Sequence, residues 1–424
     1  MTSTLAEPRN SARVHPLAPR RNVLANVVPP ALRAPEAAPA AVFAAIRQRG
    51  PVPRDSIATL TGLSIATVNR QVTALLEAQL LRERPDLAAA GAIGRPRTPV
   101  EINHEPYLTL GVHIGARTTS IVASDLFGRA LDAVETPTPG GSQTSALATL
   151  ADSARRYLGR WRRRRPLWLG VAIGGVVDGV GGHVDHSRLG WSQAPVGPVL
   201  AGALGLPVSV ASNVDAMAGA ELLLGRQGGR GSGLYVYARD TVGFALVIDG
   251  RVHSPTSGPG TVAGLPVQSE LLGGSGQLES TVSHEAVLAA ARRSRILPAA
   301  GPNSTISALL RLARQNARGS EGARELLAER ARVLGGAVAL MRDMLNPDDL
   351  VVGGQAFTEY PEGSDRLRAA FAEKSLLAPR EIRLSAFGNR VQEAGAGVVS
   401  LSSIYSDPLA AMRRARQTVD RCAV

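Results

Sequence analysis

Ala66, Asn69, Arg70 and Thr73 recur at a spacing that gathers them on one face of a helix. Side chains that are small or polar in this pattern can enter a DNA major groove, with Asn69 and Arg70 placed to reach base edges or phosphates. Ser64 and Thr67 stand at the start of the same segment, where the serine can accept a hydrogen bond from an orphan amide of the first turn. A second group follows about one hairpin later. Arg95 and Arg97 flank Pro96, whose ring holds the chain extended, a form suited to phosphate or minor-groove contact. A solvated basic loop has the same composition.

The elements that would position these residues are legible around them. Residues 54–76 read as a short helix, a turn at Gly62 and a second helix, the pattern of a helix-turn-helix. In the second helix Val68, Val72, Leu75 and Leu76 make one apolar stripe that docks inward. A helical hairpin in any α-rich domain shares this outline. Val42, Phe43 and Ile46 mark a preceding helix that completes a three-helix core. Leu80 to Arg84 and Gly94 to Ile102 then read as the strands of a wing, with Arg82 and Arg84 on one face.

The chain has 424 residues, 44% of them hydrophobic, and no apolar run long enough to cross a bilayer. Residues 1–37 are rich in alanine, proline and arginine and lack a signal-peptide core, so they read as a disordered basic arm on a cytoplasmic protein. Cys422 is the single cysteine, which excludes an internal disulfide and a cysteine-rich metal site, and the seven histidines have no metal-ligand spacing. Forty-seven basic residues against 35 acidic ones give a net charge of +12, and all the basic residues but Lys374 are arginine. This balance favours an anionic partner such as double-stranded DNA. The dense run Arg155, Arg156, Arg160 and Arg162 to Arg165 lies far from the motif and reads as a solvated helix end.

From Tyr107 the pattern changes to short β-branched strands between glycine turns. Leu110 to Gly115, Ser120 to Ala123 and Ala130 to Glu135 suggest a meander, followed by a helix from about Gln143 to Tyr157. Strands are expected at Leu167 to Ile173, Pro207 to Ala211, Gly233 to Tyr237 and Val242 to Ile248, with a helix running through Glu221. The remainder is mostly helical, broken at Leu350 to Gly354 and Ile382 to Ala386.

A winged helix-turn-helix leading into this succession resembles the transcriptional-repressor branch of the ROK family. The resemblance covers Ala38 to Leu409. It is carried by Gly111 to Gly128, Gly170 to Gly175, Leu189-Gly190-Trp191, Ser212 to Glu221 and Asn346 to Gly354. It implies an α/β fold, a winged helix-turn-helix at 38–105 and a two-lobed, actin-like sugar-kinase domain at 106–409, with residues 410–424 as a tail. It also implies a homodimer or homotetramer on a DNA operator. A sugar-like or unknown effector would bind near Gly174, Gly175, Asn213, Asp215, Gly264 and Glu279.

The sequence departs from the family's kinases at each catalytic requirement. The aspartate of the first phosphate hairpin falls at His113, and the second phosphate turn reads Arg239-Asp240-Thr241-Val242-Gly243 in place of a glycine-rich segment. Aligned on Glu221, Asn213 takes the position of the catalytic aspartate; Asp215 would need a two-residue shift to serve as base. The zinc loop maps to Gly260 to Gly264 and Leu272 to Glu279, which contain no cysteine or histidine. The expected protein is therefore a regulator with no catalytic residues, no metal and no cofactor. An active sugar kinase with an accessory DNA-binding domain and a non-specific DNA-organising protein are the alternatives.

Overall fold

The computed structural model describes residues 26–87, 98–225, 231–378 and 380–422. Three helices open the chain, α1 (Ala38–Arg49), α2 (Arg54–Thr61) and α3 (Ile65–Glu77), followed by the antiparallel pair β1 (Leu81–Glu83) and β2 (Val100–Ile102). Gly62 ends α2 in the left-handed conformation at φ 68°, which only a residue without Cβ adopts at little cost. Ser64 then caps α3, its side chain accepting from the Thr67 amide, an interaction worth about 1 kcal/mol. Val42, Phe43, Ile46, Ile57, Val68, Val72 and Leu75 close the small core these helices share.

The first lobe is a five-stranded sheet in the order β10 (Val208–Ser212), β6 (Arg165–Ile173), β3 (Tyr107–Ile114), β4 (Thr118–Ser124), β5 (Ala130–Pro137). The last three form the antiparallel meander, and β6 and β10 join in parallel. Helices α4 (Gln143–Leu158) and α5 (Val196–Leu204) cover one face, beside a small sheet of β7 (Val176–Asp178), β8 (His183–His186) and β9 (Trp191–Ala194). Helix α6 (Asn213–Leu224) follows β10 directly.

In the second lobe the sheet order is β13 (Arg251–His253), β12 (Val242–Ile248), β11 (Ser232–Ala238), β15 (Asp349–Gly353), β16 (Arg383–Leu384), with β14 (Gly260–Thr261) beside β12. Its second core gathers α7 (Leu278–Val282), α8 (His284–Arg293), α9 (Ile306–Ala313), the long α10 (Ser320–Leu345), α11 (Gln355–Thr358) and α12 (Ser364–Lys374). Helix α13 (Val391–Ser406) returns to back the first sheet, and α14 (Pro408–Cys422) ends the described chain. The approach of α13 is so close that a Cβ on Gly170 would lie 2.2 Å from the Ser400 amide nitrogen, so that position must lack a side chain.

Two expected boundaries need correction. Residues 26–37, read as part of a disordered arm, are ordered: the Val28 amide donates to the Val208 carbonyl at 2.8 Å and the Ala34 amide to that of Gly250 at 2.7 Å. Their partners lie far along the chain, which composition cannot reveal. Residues 1–25 of the same arm fall outside the described residues. The tail begins inside α14, whose Ala411, Met412 and Ala415 are buried in a core shared with the N-terminal helices α1 to α3. Arg416 also donates to the Ala78 carbonyl at the end of α3, at 3.0 Å.

The same core joins the N-terminal domain to the rest of the chain. Arg47 on α1 donates to the Leu223 carbonyl at 2.9 Å and stacks 4.3 Å over the Tyr405 ring, beside Phe43. The domain is seated on α6, α13 and α14, without a free linker at this junction.

Candidate functional site

Helix α3 presents Ala66, Asn69, Arg70 and Thr73 to solvent while Val68, Val72 and Leu75 are fully buried, so the amphipathic division falls where the spacing places it. No side-chain hydrogen bond or ion pair among the described residues engages Asn69, Arg70 or Thr73, which leaves their side chains available to an external partner. Ser64 and Thr67 are instead occupied with each other: beyond the amide cap, Ser64 Oγ lies 3.0 Å from Thr67 Oγ1. Ile65, at the first helical position, is 49% exposed beside Ala66. Its apolar type hid it from a reading that sought polar contacts.

The wing divides differently. Arg82 Nε donates to Glu101 at 2.6 Å and its NH1 reaches Glu105 at 3.0 Å; Arg84 pairs with Asp86 and with the other oxygen of Glu101. Glu101 sits between them, mostly covered, so the stem's basic face is neutralised within the hairpin. Neighbouring arginines hold the Asp86 and Glu105 carboxyls below the usual carboxylate range. Arg95 and Arg97, the expected contacts at the tip, lie outside the described residues.

Between the lobes, the end of β6 and the start of α6 build one corner. A Cβ on Gly174 would lie 3.1 Å from His186 Nε2 and 3.7 Å from Asn213 Nδ2, so these three residues face the same small space. Gly175 turns the chain at φ 87°. Asn213 Oδ1 is buried without a hydrogen-bond partner. Two residues on, the Asp215 amide donates to Ser212 Oγ at 3.3 Å, completing the cap of α6. Burial raises the Asp215 carboxyl above its ordinary range, opposed by the hydroxyls of Ser254 and Ser212.

Across the cleft the charged side chains are mutually engaged. Arg188, from the turn before β9, reaches Glu279 at 2.7 Å and the Asp240 carbonyl at 3.3 Å. The second oxygen of Glu279 accepts the Val242 amide at 3.0 Å. Arg239 donates to Gln392 on α13 at 2.7 Å. His113 is buried behind it, with Nε2 unpartnered, and burial together with the Arg239 charge pushes its imidazole down to about 3. His284 is likewise pushed down to about 2, by burial first and then by Arg330, Arg239 and Arg117. Both rings are therefore neutral at pH 7.

The six expected ligand residues are thus placed unequally. Gly174 and Asn213 share a corner with His186, and Gly175 adjoins it in sequence. Asp215 is buried toward Ser254, Glu279 is held by Arg188, and Gly264 lies exposed in the loop after β14. An open groove of about 420 Å³, lined by Ser307, Arg311, Arg314, Glu359 and Asn389 among others, includes none of the six. Among the described residues no group of three or more histidine, cysteine, aspartate or glutamate side chains is placed to hold a metal ion, and no helix is long and apolar enough to cross a membrane. Arg188 and Arg47 escaped the sequence reading because their partners are distant in the chain.

The sequence pattern of the ROK family matches residues 109–399. Transcriptional regulator Rv0485 of Mycobacterium tuberculosis is 67% identical over 416 residues, covering 96% of this chain and 93% of that protein. The DNA-binding transcriptional repressor Mlc of Escherichia coli is 23% identical over 389 residues, covering 87% and 94% respectively. A crystal structure of a ROK family transcriptional regulator, a homologue of the E. coli MLC protein, superposes with a TM-score of 0.70 at 21% identity, covering 90% of this chain and 98% of that one.

Proposed function

The chain belongs to the ROK family, and on that premise we propose that it is a DNA-binding transcriptional regulator, a repressor, whose kinase-like lobes no longer transfer phosphate. The observation that carries this reading is the exposed, internally unpartnered face of Asn69, Arg70 and Thr73 on α3. Similarity to the Mlc repressor supports the sign of regulation. Phosphates contacted by the wing tip, through Arg95 and Arg97, would add affinity without sequence preference of their own.

The lobes lack what phosphoryl transfer to a sugar needs. A base must accept the hydroxyl proton, and the Asn213 amide has no basic oxygen to do so. An acidic group must support magnesium, and His113 is buried and neutral in that position. Backbone amides must approach the phosphates closely, and Arg239 and Thr241 bring side chains to the turn where glycines would permit it. Zinc fits no better, because the loop from Gly260 to Glu279 offers no thiolate or imidazole. Loss of transfer leaves binding possible. Closure of the lobes on a small molecule, sugar-like or of another class, can change the disposition of the DNA-binding domains. Two or four copies would present paired domains to a palindromic operator.

Selecting bound fragments from genomic DNA with the purified protein, then titrating the best fragment and random DNA at one fixed salt concentration, tests the regulatory reading. Specific binding should exceed non-specific binding by about three orders of magnitude or more. Equal affinities would favour a DNA-organising protein, to which the net charge of +12 is also suited. A coupled assay over hexoses and amino sugars with magnesium and ATP, joined to metal analysis, tests the rest. Sugar-dependent ATP turnover lost on Asp215→Asn, or stoichiometric zinc, would restore the enzyme reading.

A further inference from the structure

Residues 27–34 connect both lobes to the first helix of the DNA-binding domain. At one end Val27 bridges in parallel to Val208 of β10, in the first lobe. At the other, Arg33 bridges to Arg251 of β13 in the second, with the Val252 amide donating to the Leu32 carbonyl at 2.9 Å. Between these anchors the Ala31 amide donates to Ser402 Oγ on α13 at 3.2 Å. Leu32, 5% exposed, lies across α6. A Cβ on Gly219 would stand 2.8 Å from its Cδ2, so α6 is bare where the segment crosses. Pro29 and Pro30 within the segment, and Pro35 directly after it, fix φ and keep the chain extended. Four residues after Ala34, at Ala38, the chain enters α1.

The DNA-binding domain is otherwise seated on α6, α13 and α14 through Arg47, Phe43 and Arg416. The anchor at Gly250 and Val252 gives it a tie to the second lobe. The two lobes are in turn joined across the cleft by Arg188 with Glu279 and by Arg239 with Gln392.

We propose that these two cross-cleft contacts clasp the lobes and that residues 27–34 form a stiff strap which transmits a change in the angle between them to α1. The strap uses extended backbone pairing at both ends, so movement of β13 away from β10 cannot be absorbed by rotating one side chain. It must stretch, release an anchor or draw on α1. The consequence for operator affinity rests on the regulatory reading above, whereas the mechanical step does not require DNA.

The experiment is amide hydrogen exchange on four full-length proteins. They are the natural chain, Arg188→Ala with Arg239→Ala, a chain with Gly-Ser-Gly-Ser inserted between the exposed residues Glu36 and Ala37, and the combination. Four extended residues add roughly 13 Å of slack. Releasing the clasp should accelerate exchange at least about tenfold, or some 1.4 kcal/mol of local protection, around Val242 and Glu279 and in α1. With slack present, the cleft should respond as before and α1 should not. Equal responses of α1 with and without slack would overturn the strap, since the signal would then run through the seating helices. No response in the cleft would overturn the clasp, and no response in α1 of the unslackened chain would overturn transmission. Loss of specific operator selection by the natural chain would count against the DNA reading alone.

Discussion

Arg70 on α3 and the arginines of the cleft and of the second lobe's interior share a side chain and differ in every surrounding. Arg70 is exposed, and its side chain has no partner among the described residues. Arg188 holds Glu279, Arg239 holds Gln392, and Arg330 is 3% exposed with its Nε bonded to the Val282 carbonyl. A guanidinium that must meet an external anion is kept uncommitted, whereas one already bonded inside the fold sets geometry. The wing stem belongs with the cleft in this respect, because Arg82 and Arg84 are both committed to Glu101. Basic charge in a sequence therefore marks a partner only where acidic neighbours in space leave it free.

This contrast can be broken first at Arg330. Arg330→Ala should destabilise the folded protein by about 3 kcal/mol in urea unfolding, because Glu359 and Asp240 lose the buried cation that faces them. A change under 1 kcal/mol would mean that the cluster is already well solvated. Arg70→Ala sets the opposite case: specific DNA binding should weaken by about 1–3 kcal/mol with the melting temperature unchanged. Equal loss on specific and random DNA would assign Arg70 to phosphate contact instead.

A smaller effect is expected from pH. His113 has its folded pKa pushed down to about 3, below the ordinary value of 6.5, so the unfolded chain binds the proton more readily between those values. Its contribution to stability is complete above 6.5 and declines as pH falls toward 3, by at most about 1.4 kcal/mol per unit. Asp215, Glu221 and Glu359, raised by burial, act in the opposite sense. His113→Gln should therefore make stability fall less steeply between pH 6.5 and 5 than in the natural chain; parallel curves would show that the imidazole is protonated without penalty. Finally, changing Arg95 and Arg97 together to alanine should reduce the slope of log affinity against log salt by roughly two. An unaltered slope would place the wing tip away from the phosphates.

Local features were readable from the sequence. Gly62, the Ser64 cap and the stripe of Val68, Val72 and Leu75 lie within a few residues of one another, and the expected strand from Val242 to Ile248 coincides with β12. The meander and the start of α6 were legible for the same reason. What escaped depends on contacts between distant segments. Arg188 and Glu279 are separated by 91 residues, and Ala31 and Ser402 by 371. Proline, alanine and arginine before residue 38 read as a disordered arm, because composition cannot say that a sheet edge waits for the chain. The neutral wing stem was missed for a subtler reason: Glu101 was visible, but only the register that places Arg82 opposite it identifies the pair. At the cleft, residue types suggested lost chemistry, while the closure made by Arg188 emerged only from the folded arrangement.

The shared core beneath the DNA-binding domain also bears on the order of synthesis. Phe43 and Ile46 belong to the same buried cluster as Tyr405, Met412 and Ala415. During translation the recognition helix leaves the ribosome long before these partners exist, so its domain must wait with an apolar underside uncovered until α13 and α14 emerge. A polypeptide interrupted before Tyr405 would carry every residue proposed to touch DNA and still lack the seat that fixes their orientation.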